Sequence, residues 1–447
     1  MDFEKWLNDN DVIKHYAHFD SKNITIKKVL NEIKDPNVIS SHGFMPFIHT
    51  TLTFNKYSKS DDEKGYKIKK KERDLYYSSH YDRCVYQYYA YLLNEKYNEK
   101  TKEYGISEVA IAYRNNLNKS NIYFAKEAFD FIRANPNCLI IVGDFEKFFD
   151  TLNHKYLKER LCSILDQDSL PLDYYKVFKS LTKFSYVDFE SILKYYKLED
   201  TIANRKNLNY KKIIMPIQVV RKKELDLIKT NEKEGIPQGS AMSAILSNIY
   251  MFEFDKMVKE YVASYNGLYL RYSDDSIFII PLENNSRAEI CKHHQNIMNY
   301  IDKIPKLVLQ AEKTKIYTYK NGILLNCDTM IGAEGNSKNI IDYLGFSFDG
   351  KSISVRDKTI TKYYYRAYKK ANTIAKRGKI SPTGKQISCK NLYKTYSIRG
   401  AKVTETSKGN FLTYINRCKN IFGDKERVHI ILNTHFGKLK KRINKSE

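Results

Sequence analysis

Three aspartates stand where a sequence can do chemistry. Asp144 closes the run Ile140-Ile-Val-Gly-Asp144, a short apolar stretch that reads as a buried strand holding its last carboxylate at a sheet edge. Asp274 and Asp275 lie inside Leu268-Tyr-Leu-Arg-Tyr-Ser-Asp-Asp-Ser-Ile-Phe-Ile-Ile280. There Leu268, Leu270 and Tyr272 alternate on one side and Ile277 and Ile279 on the other, the pattern of a tight β-hairpin with the Asp pair at its turn. Aspartate is a favoured turn residue in its own right. Two adjacent carboxylates nevertheless repel, and a divalent cation relieves the repulsion. Joined by Asp144, the pair would make a hard-oxygen site suited to Mg²⁺. Two such ions suit nucleotidyl transfer: one activates an attacking 3′-hydroxyl, the other neutralises a triphosphate and its pyrophosphate leaving group. In-line positioning and cationic help would be the remaining needs.

The elements that must position these groups are partly readable. Gly235-Ile-Pro-Gln-Gly239 is a rigid, closely approachable loop leading into a helix capped by Ser240, with Ile245, Ile249 and Phe252 on one face. The pattern also predicts a charged hairpin over 61–73 with Gly65 near its turn, helices over 79–98, 120–135 and 286–304, and strands over 138–145, 306–319 and 339–348. Asn135-Pro136 stops the second of those helices. The stretch from about 165 to 230 is rich in Lys and Tyr and reads as irregular.

The chain has 447 residues, 42% of them hydrophobic, enough for a sizeable core. No apolar run approaches the ~20 residues that a membrane span needs, and no signal peptide is visible at the start. The seven cysteines are scattered without CxxC pairs, as in reduced thiols of a cytoplasmic protein rather than a zinc or disulfide framework. Of the net charge of +24, residues 351–447 carry +20, which attracts a polyanion in a salt-dependent way. Ile360, Tyr364, Tyr368, Ala371 and Ile374 fall on one helix face, with Lys362, Arg366, Lys369 and Lys370 off it. That is a folded basic helix, a nucleic-acid-binding candidate. Lys438, Lys440, Lys441 and Arg442 near the end read as a second cluster, flexible or solubilising.

The order of the pieces, an Asp strand, a PQG loop entering a helix, then the YxDD hairpin Tyr272-Ser-Asp-Asp275, resembles bacterial reverse transcriptases. Those of group II introns and retrons are similar, and abortive-infection or defence-associated enzymes most of all, over about residues 65–350. The resemblance implies an α+β right-hand polymerase. Its parts would be an N-terminal helical extension (1–60), fingers (61–135), a palm of antiparallel sheet plus helices (136–348, with an insertion at about 151–234) and a basic helical thumb, the RNA-binding region (349–447). Asp144, Asp274 and Asp275 would be catalytic and, with the Phe145 carbonyl, would hold two Mg²⁺ ions, Mn²⁺ being able to substitute. Phe149 stands where the family keeps an aromatic that blocks a ribose 2′-hydroxyl, and Gln238 where it lines the incoming nucleotide. Lys313, in Leu309-Gln-Ala-Glu-Lys-Thr-Lys-Ile316, matches a lysine near the triphosphate. Arg73, with Lys69–Lys71, resembles the fingers' triphosphate clamp. Arg114, in Ala112-Tyr-Arg114, would touch template or triphosphate, and Tyr343-Leu-Gly345-Phe346 resembles the primer grip.

The implied activity is RNA-directed DNA synthesis: cDNA made from dNTPs on an RNA template, a cognate structured non-coding RNA, in antiviral (phage) defence. The alternative is a retron-type enzyme making branched RNA–DNA. An RNA-dependent RNA polymerase would carry Asp at position 149 and a GDD hairpin; a non-catalytic binding module would have lost carboxylates. No nuclease signature follows residue 350.

Overall fold

The computed structural model describes residues 2–59, 66–331, 338–376, 380, 384–386, 388–403 and 409–444. Among these, twelve strands form three sheets: β1 (Phe47–Lys59), β2 (Tyr66–Tyr77), β3 (Asn137–Asp144), β4 (Ser185–Asp188), β5 (Lys229–Thr230), β6 (Leu268–Tyr272), β7 (Asp275–Pro281), β8 (Lys315–Lys320), β9 (Ile323–Asn326), β10 (Ile341–Tyr343), β11 (Phe346–Phe348) and β12 (Ile353–Val355). The sheet orders are β2-β1-β4-β5, β6-β7-β3-β8-β9 and β10-β11-β12.

The five-stranded sheet is antiparallel throughout, and both of its faces are covered. Successive strand residues point to opposite faces. Leu139 and Ile141 of β3, with Phe278 and Ile280 of β7, pack against the helices Ala241–Tyr250 and Phe252–Ala263. Cys138 and Ile140, with Ile277 and Ile279, enter a second core with the helix Asn121–Ala134, the β10–β12 sheet and the C-terminal helices. Double coverage is why β3 reads as an unbroken apolar run rather than an alternation. Ser240 caps its helix as expected, its side chain accepting from the Met242 N–H.

The first sheet departs from expectation. The hairpin β1–β2 runs in register from Ile48↔Tyr77 to Lys59↔Tyr66, so its first strand falls within the stretch 1–60 that was expected to be helical; the N-terminal helices stop at Ser41. Its turn near Gly65 lies outside the described residues. The stretch expected to be irregular is ordered. β4 adds to β1 in parallel and β5 to β4. Val187, Phe189, Ile192, Leu208 and Ile214 close a third core on Ile48, with Ala17 and Phe19. Strands of four and two residues are too short to show a period. The strand expected over 306–319 is likewise shorter, beginning at Lys315.

In the C-terminal part the helix Asp357–Lys376 packs on the helix Ile430–Asn444. Tyr363, Tyr364, Ala367, Ala371 and Ile374 are buried, while Lys362, Arg366 and Lys369 are exposed. The second basic cluster is a helix rather than a tail: Lys438 lies over the Tyr364 ring and Arg442 over Tyr368. All seven cysteines are free thiols. Among the described residues no helix is long and apolar enough to cross a membrane.

Candidate active site

β3 and β7 pair so that Asp144 lies directly opposite Asp275. The hairpin turn is Ser273–Asp274, with Tyr272 and Asp275 as the closing pair; Asp275 therefore belongs to the strand, one position later than the sequence pattern placed it. Ser273 takes a positive φ of 61° to make the turn. The Phe145 N–H donates to the Asp274 carbonyl at 3.1 Å, and the Gln310 N–H donates to the Asp144 carbonyl at 2.8 Å. The two carboxylate-bearing segments and the 309–313 loop are thus tied by backbone. The Phe145 ring itself is core, 2% exposed. Lys313 places its ammonium 2.5 Å from Asp144 Oδ2.

The electrostatics call for more positive charge than the protein supplies. Asp275 reaches the water of the cleft but is walled by protein on most sides. Loss of solvent, then Asp274 and Asp144, pushes its carboxyl up to about 6, against the pull of Lys313 and Arg356. Asp274 is raised too, chiefly by loss of solvent and also by Asp144. Oxygen donors short of a cation fit a hard divalent metal. Among the described residues no three Asp, Glu, His or Cys side chains are already drawn together around a metal position. Lys313 meanwhile holds one oxygen of Asp144, so metal binding there requires that ammonium to yield.

A buried ion pair sets the hairpin. Arg271, wholly buried, meets Asp255 through Nε at 2.8 Å and Nη2 at 2.6 Å, and donates from Nη1 to the Ser273 carbonyl at 3.1 Å and to Asn248 at 3.2 Å. The Tyr269 hydroxyl completes the Asp255 shell at 2.9 Å. Tyr113 donates to the Ser273 hydroxyl at 3.2 Å. The sequence reading missed Arg271 and Asp255. The signal was there, since an arginine in an apolar strand must find a carboxylate.

The loop that carries Gln238 and the turn that carries Phe149 are joined. The Ile236 N–H donates to the Phe149 carbonyl at 2.9 Å, and Gln238 Nε2 to Asp150 at 3.0 Å. The loop's glycines are required. Gly235, at φ +91°, approaches Asp150 so that a Cβ would come within 2.6 Å of its backbone; Gly239, at φ +120°, would put one 2.7 Å from the Tyr76 carbonyl. The Tyr76 N–H in turn donates to the Gln238 carbonyl at 3.0 Å. β2, the loop and the Phe149 turn are one connected wall.

From Asp144 and Asp275 a cleft of about 1000 Å³ runs along Lys313, Arg356 and the β10–β12 sheet to Lys438. Tyr343 stands behind it, buried, its hydroxyl without a hydrogen-bond partner; loss of solvent and then Asp275 hold that hydroxyl far above the usual phenol range. Leu344 and Gly345 form the β10–β11 turn.

Residues 178–348 match the family model "Reverse transcriptase (RNA-dependent DNA polymerase)". This segment carries a reverse transcriptase domain. The activity that the model's description names is RNA-dependent DNA synthesis. The match includes Gln238, Asp274, Asp275, Lys313, Tyr343 and Gly345, and stops short of Asp144 and Phe149, which the β3–β7 pairing and the Gly235–Gly239 loop bring to the same place. No curated protein matches the chain. Similar solved structures include apo telomerase from Candida tropicalis truncated from its C-terminal domain, with TM-score 0.39 and 15% identity over 68% of this chain and 57% of that one. Telomerase from Candida albicans in complex with a TWJ fragment of telomeric RNA gives TM-score 0.39 and 13% identity over 94% and 65%. The chain spans less than two thirds of the length of either.

Around the reverse transcriptase domain, the remaining expected residues divide. Arg114 is not at the cleft floor. It is 6% exposed and its guanidinium is committed to Asn98, Thr101 and the carbonyls of Ser107 and Ala110. That makes it a structural cation. Arg73 is exposed on β2, but three positions from Tyr76 it lies on the opposite face of the strand from the ring beside Asp150. Lys70 shares the Tyr76 face. Lys362, Arg366, Lys369 and Lys370 lie on the helix Asp357–Lys376, whose Ile360 and Tyr364 line the cleft.

Proposed function

We propose that the chain is an RNA-directed DNA polymerase of the bacterial, defence-associated kind, copying a cognate structured RNA into cDNA from dNTPs. The observation that carries the polymerase part of this reading is the register that sets Asp144 against Asp275, with Asp274 at the adjoining turn, in a sheet whose other strands lie within the reverse transcriptase match; the bacterial, defence-associated part rests on the order of the sequence motifs.

In this reading the five-stranded sheet and its helices are the palm, the β1–β2 hairpin and the helices after it are the fingers, and residues 349–447 are the thumb. Asp144, Asp274, Asp275 and the Phe145 carbonyl would hold two Mg²⁺ ions, which when bound activate the 3′-hydroxyl and neutralise the departing pyrophosphate. Lys313, held at the site by Asp144, is the cation within reach of a triphosphate. Phe149, fixed through its carbonyl by the PQG loop, closes the space for a 2′-hydroxyl, and Gln238 lines the same wall. The β10–β11 turn with Gly345, backed by the buried Tyr343, bears on the primer strand. Lys362, Arg366, Lys369 and Lys370 bind nucleic-acid phosphates along the helix Asp357–Lys376.

The test is incorporation on an RNA template, dNTPs against NTPs, with and without Mg²⁺, for the parent and for Asp144→Asn and Asp274→Asn. The expected result is Mg²⁺-dependent dNTP incorporation by the parent and none by the folded variants. Equal use of NTPs, or activity in either variant, would overturn the assignment. Sequencing RNA that co-purifies with the chain reads the cognate template. Phage plaque counts with and without Asp274→Asn read the defence role, which falls if expression gives no protection.

A further inference from the structure

The helix Asp357–Lys376 has a second working face. Ile360 and Tyr364 line the polymerase cleft. Thr359, Lys362, Tyr363 and Arg366, spaced i, i+3, i+4 and i+7 on a neighbouring face, line a separate cavity of about 560 Å³ closed by Lys394, Tyr396, Asn410 and Phe411. The volume is in the range of small-ligand sites, ~300–1000 Å³. Among the described residues its charged lining is all positive: Lys362, Arg366 and Lys394 are exposed, and no described lining residue is acidic. Its walls are held before any ligand arrives. The Tyr363 hydroxyl donates to the Tyr396 carbonyl at 2.8 Å, and the Asn410 amide donates to the Ser397 and Lys394 carbonyls at 2.9 and 3.3 Å. Phe411, half-buried, packs its ring on Tyr363 at 4.7 Å and on Tyr414 at 6.0 Å between centroids and keeps part of its edge accessible.

We propose that this cavity is a ligand site distinct from the polymerase cleft and that its ligand is a nucleoside phosphate. The phosphate sits among Lys362, Arg366 and Lys394, and the base lies against Phe411. Three cations without a carboxylate select an anion. A ring fixed at the rim selects an anion that carries a flat base, because stacking accepts every base. The ligand can come from two sources, a free nucleotide or an unpaired nucleotide of a bound strand, and the chemistry is the same for both. The inference does not need catalysis at Asp144 and Asp275.

The experiment follows 2-aminopurine fluorescence with a chelator present, so that no metal-dependent binding or synthesis contributes. The probe is used as the free riboside monophosphate and as the single unpaired 3′ residue of a short duplex. Parent, Lys394→Gln and Phe411→Leu are compared, with melting temperatures as the folding control. Quenching by the parent is expected from at least one probe. Phe411→Leu should relieve the quench and weaken binding roughly tenfold. Lys394→Gln, an exposed site whose change leaves the core alone, should weaken binding several-fold and lower its salt dependence. Binding of the free probe identifies a nucleotide site, and binding of the duplex probe alone identifies a strand site. The proposal is overturned if neither probe is quenched, if both variants behave as the parent, or if inorganic phosphate displaces the probe as well as a nucleoside monophosphate does. Failure of the polymerase reading appears separately, in the incorporation assay.

Discussion

Asp144 and Asp275 face each other across β3 and β7 as register partners, and the Lys313 ammonium lies against Asp144. Loss of solvent, then the charges of Asp274 and Asp144, lifts the Asp275 carboxyl from 3.8 to about 6. A folded-state value above the unfolded one means that the native protein holds the proton more tightly. Stability therefore falls as pH rises from about 4 towards 6, and the loss is complete at neutral pH. Asp275→Asn should abolish incorporation yet melt at or above the parent's temperature at pH 7.5, with the difference gone near pH 4. Cleft water screens the effect, to about 1 kcal/mol or less. Thermal melts at the two pH values check this, and a lower melting point for the variant at pH 7.5 would remove the strain from the site.

Arg271 and Asp255 are paired with no exposure of either side chain. Arg271→Met should destabilise the fold by about 3–5 kcal/mol, because it strands a buried carboxylate. Adding Asp255→Leu should recover much of that stability but not the incorporation rate, since the Ser273 carbonyl still lacks its donor. Urea unfolding of the single and double variants decides it. A double variant no more stable than the single would show that the pair does more than cancel its own charges.

Phe149→Ala should lower the preference for dNTPs over NTPs while synthesis continues, because the change removes bulk and no carboxylate. Competing incorporation of a dNTP and its ribose counterpart measures the ratio. An active variant with the parent's ratio would assign the gate elsewhere.

His18 is wholly buried. Its Nε2 lies 3.2 Å from the Tyr77 carbonyl, and its Nδ1 accepts from the Phe19 N–H at 2.8 Å. Loss of solvent, then His80, pushes it down from 6.5 to about 3. The unfolded chain takes up a proton that the folded one refuses, so stability is lost as pH falls below 6.5. Between pH 7.5 and pH 5 this residue accounts for about 2 kcal/mol. Denaturation midpoints of the parent and His18→Gln at both pH values test it: the variant should lose less stability than the parent on acidification.

Replacing Lys362, Arg366, Lys369 and Lys370 together by alanine should weaken RNA binding. The salt slope should fall in magnitude by roughly 0.7–0.9 for each phosphate that these side chains neutralise in the parent. Isotherms at several salt concentrations read both quantities. Parental affinity and slope would take this helix off the nucleic-acid path.

What was legible in the sequence was local. The β3 run, the Tyr272–Asp275 hairpin and the Ser240 cap each declare themselves within a dozen residues, through periodicity or a capping side chain. The pieces that join distant segments did not. β4 and β5 have no period to read, and their place beside β1 is set by the third core. Arg114 resembles a ligand-binding arginine until the preceding helix is seen to supply Asn98 and Thr101 for its guanidinium. The face of Arg73 depends on strand register, and one step in register inverts it.

The Tyr76 N–H bond to the Gln238 carbonyl sits at the root of a long arm. β2 has twelve residues, about 40 Å at ~3.3 Å per residue, and its far end carries none of the bonds that fix the root to the Gln238 loop. Such an arm is a lever with its fulcrum at the Gln238 loop. A tilt of a few degrees sweeps its far end by ångströms while the fulcrum turns almost in place. Whatever load the far end bears is therefore felt, geared down, at Gln238 and, through Asp150 and the Ile236–Phe149 bond, at the turn that holds Phe149.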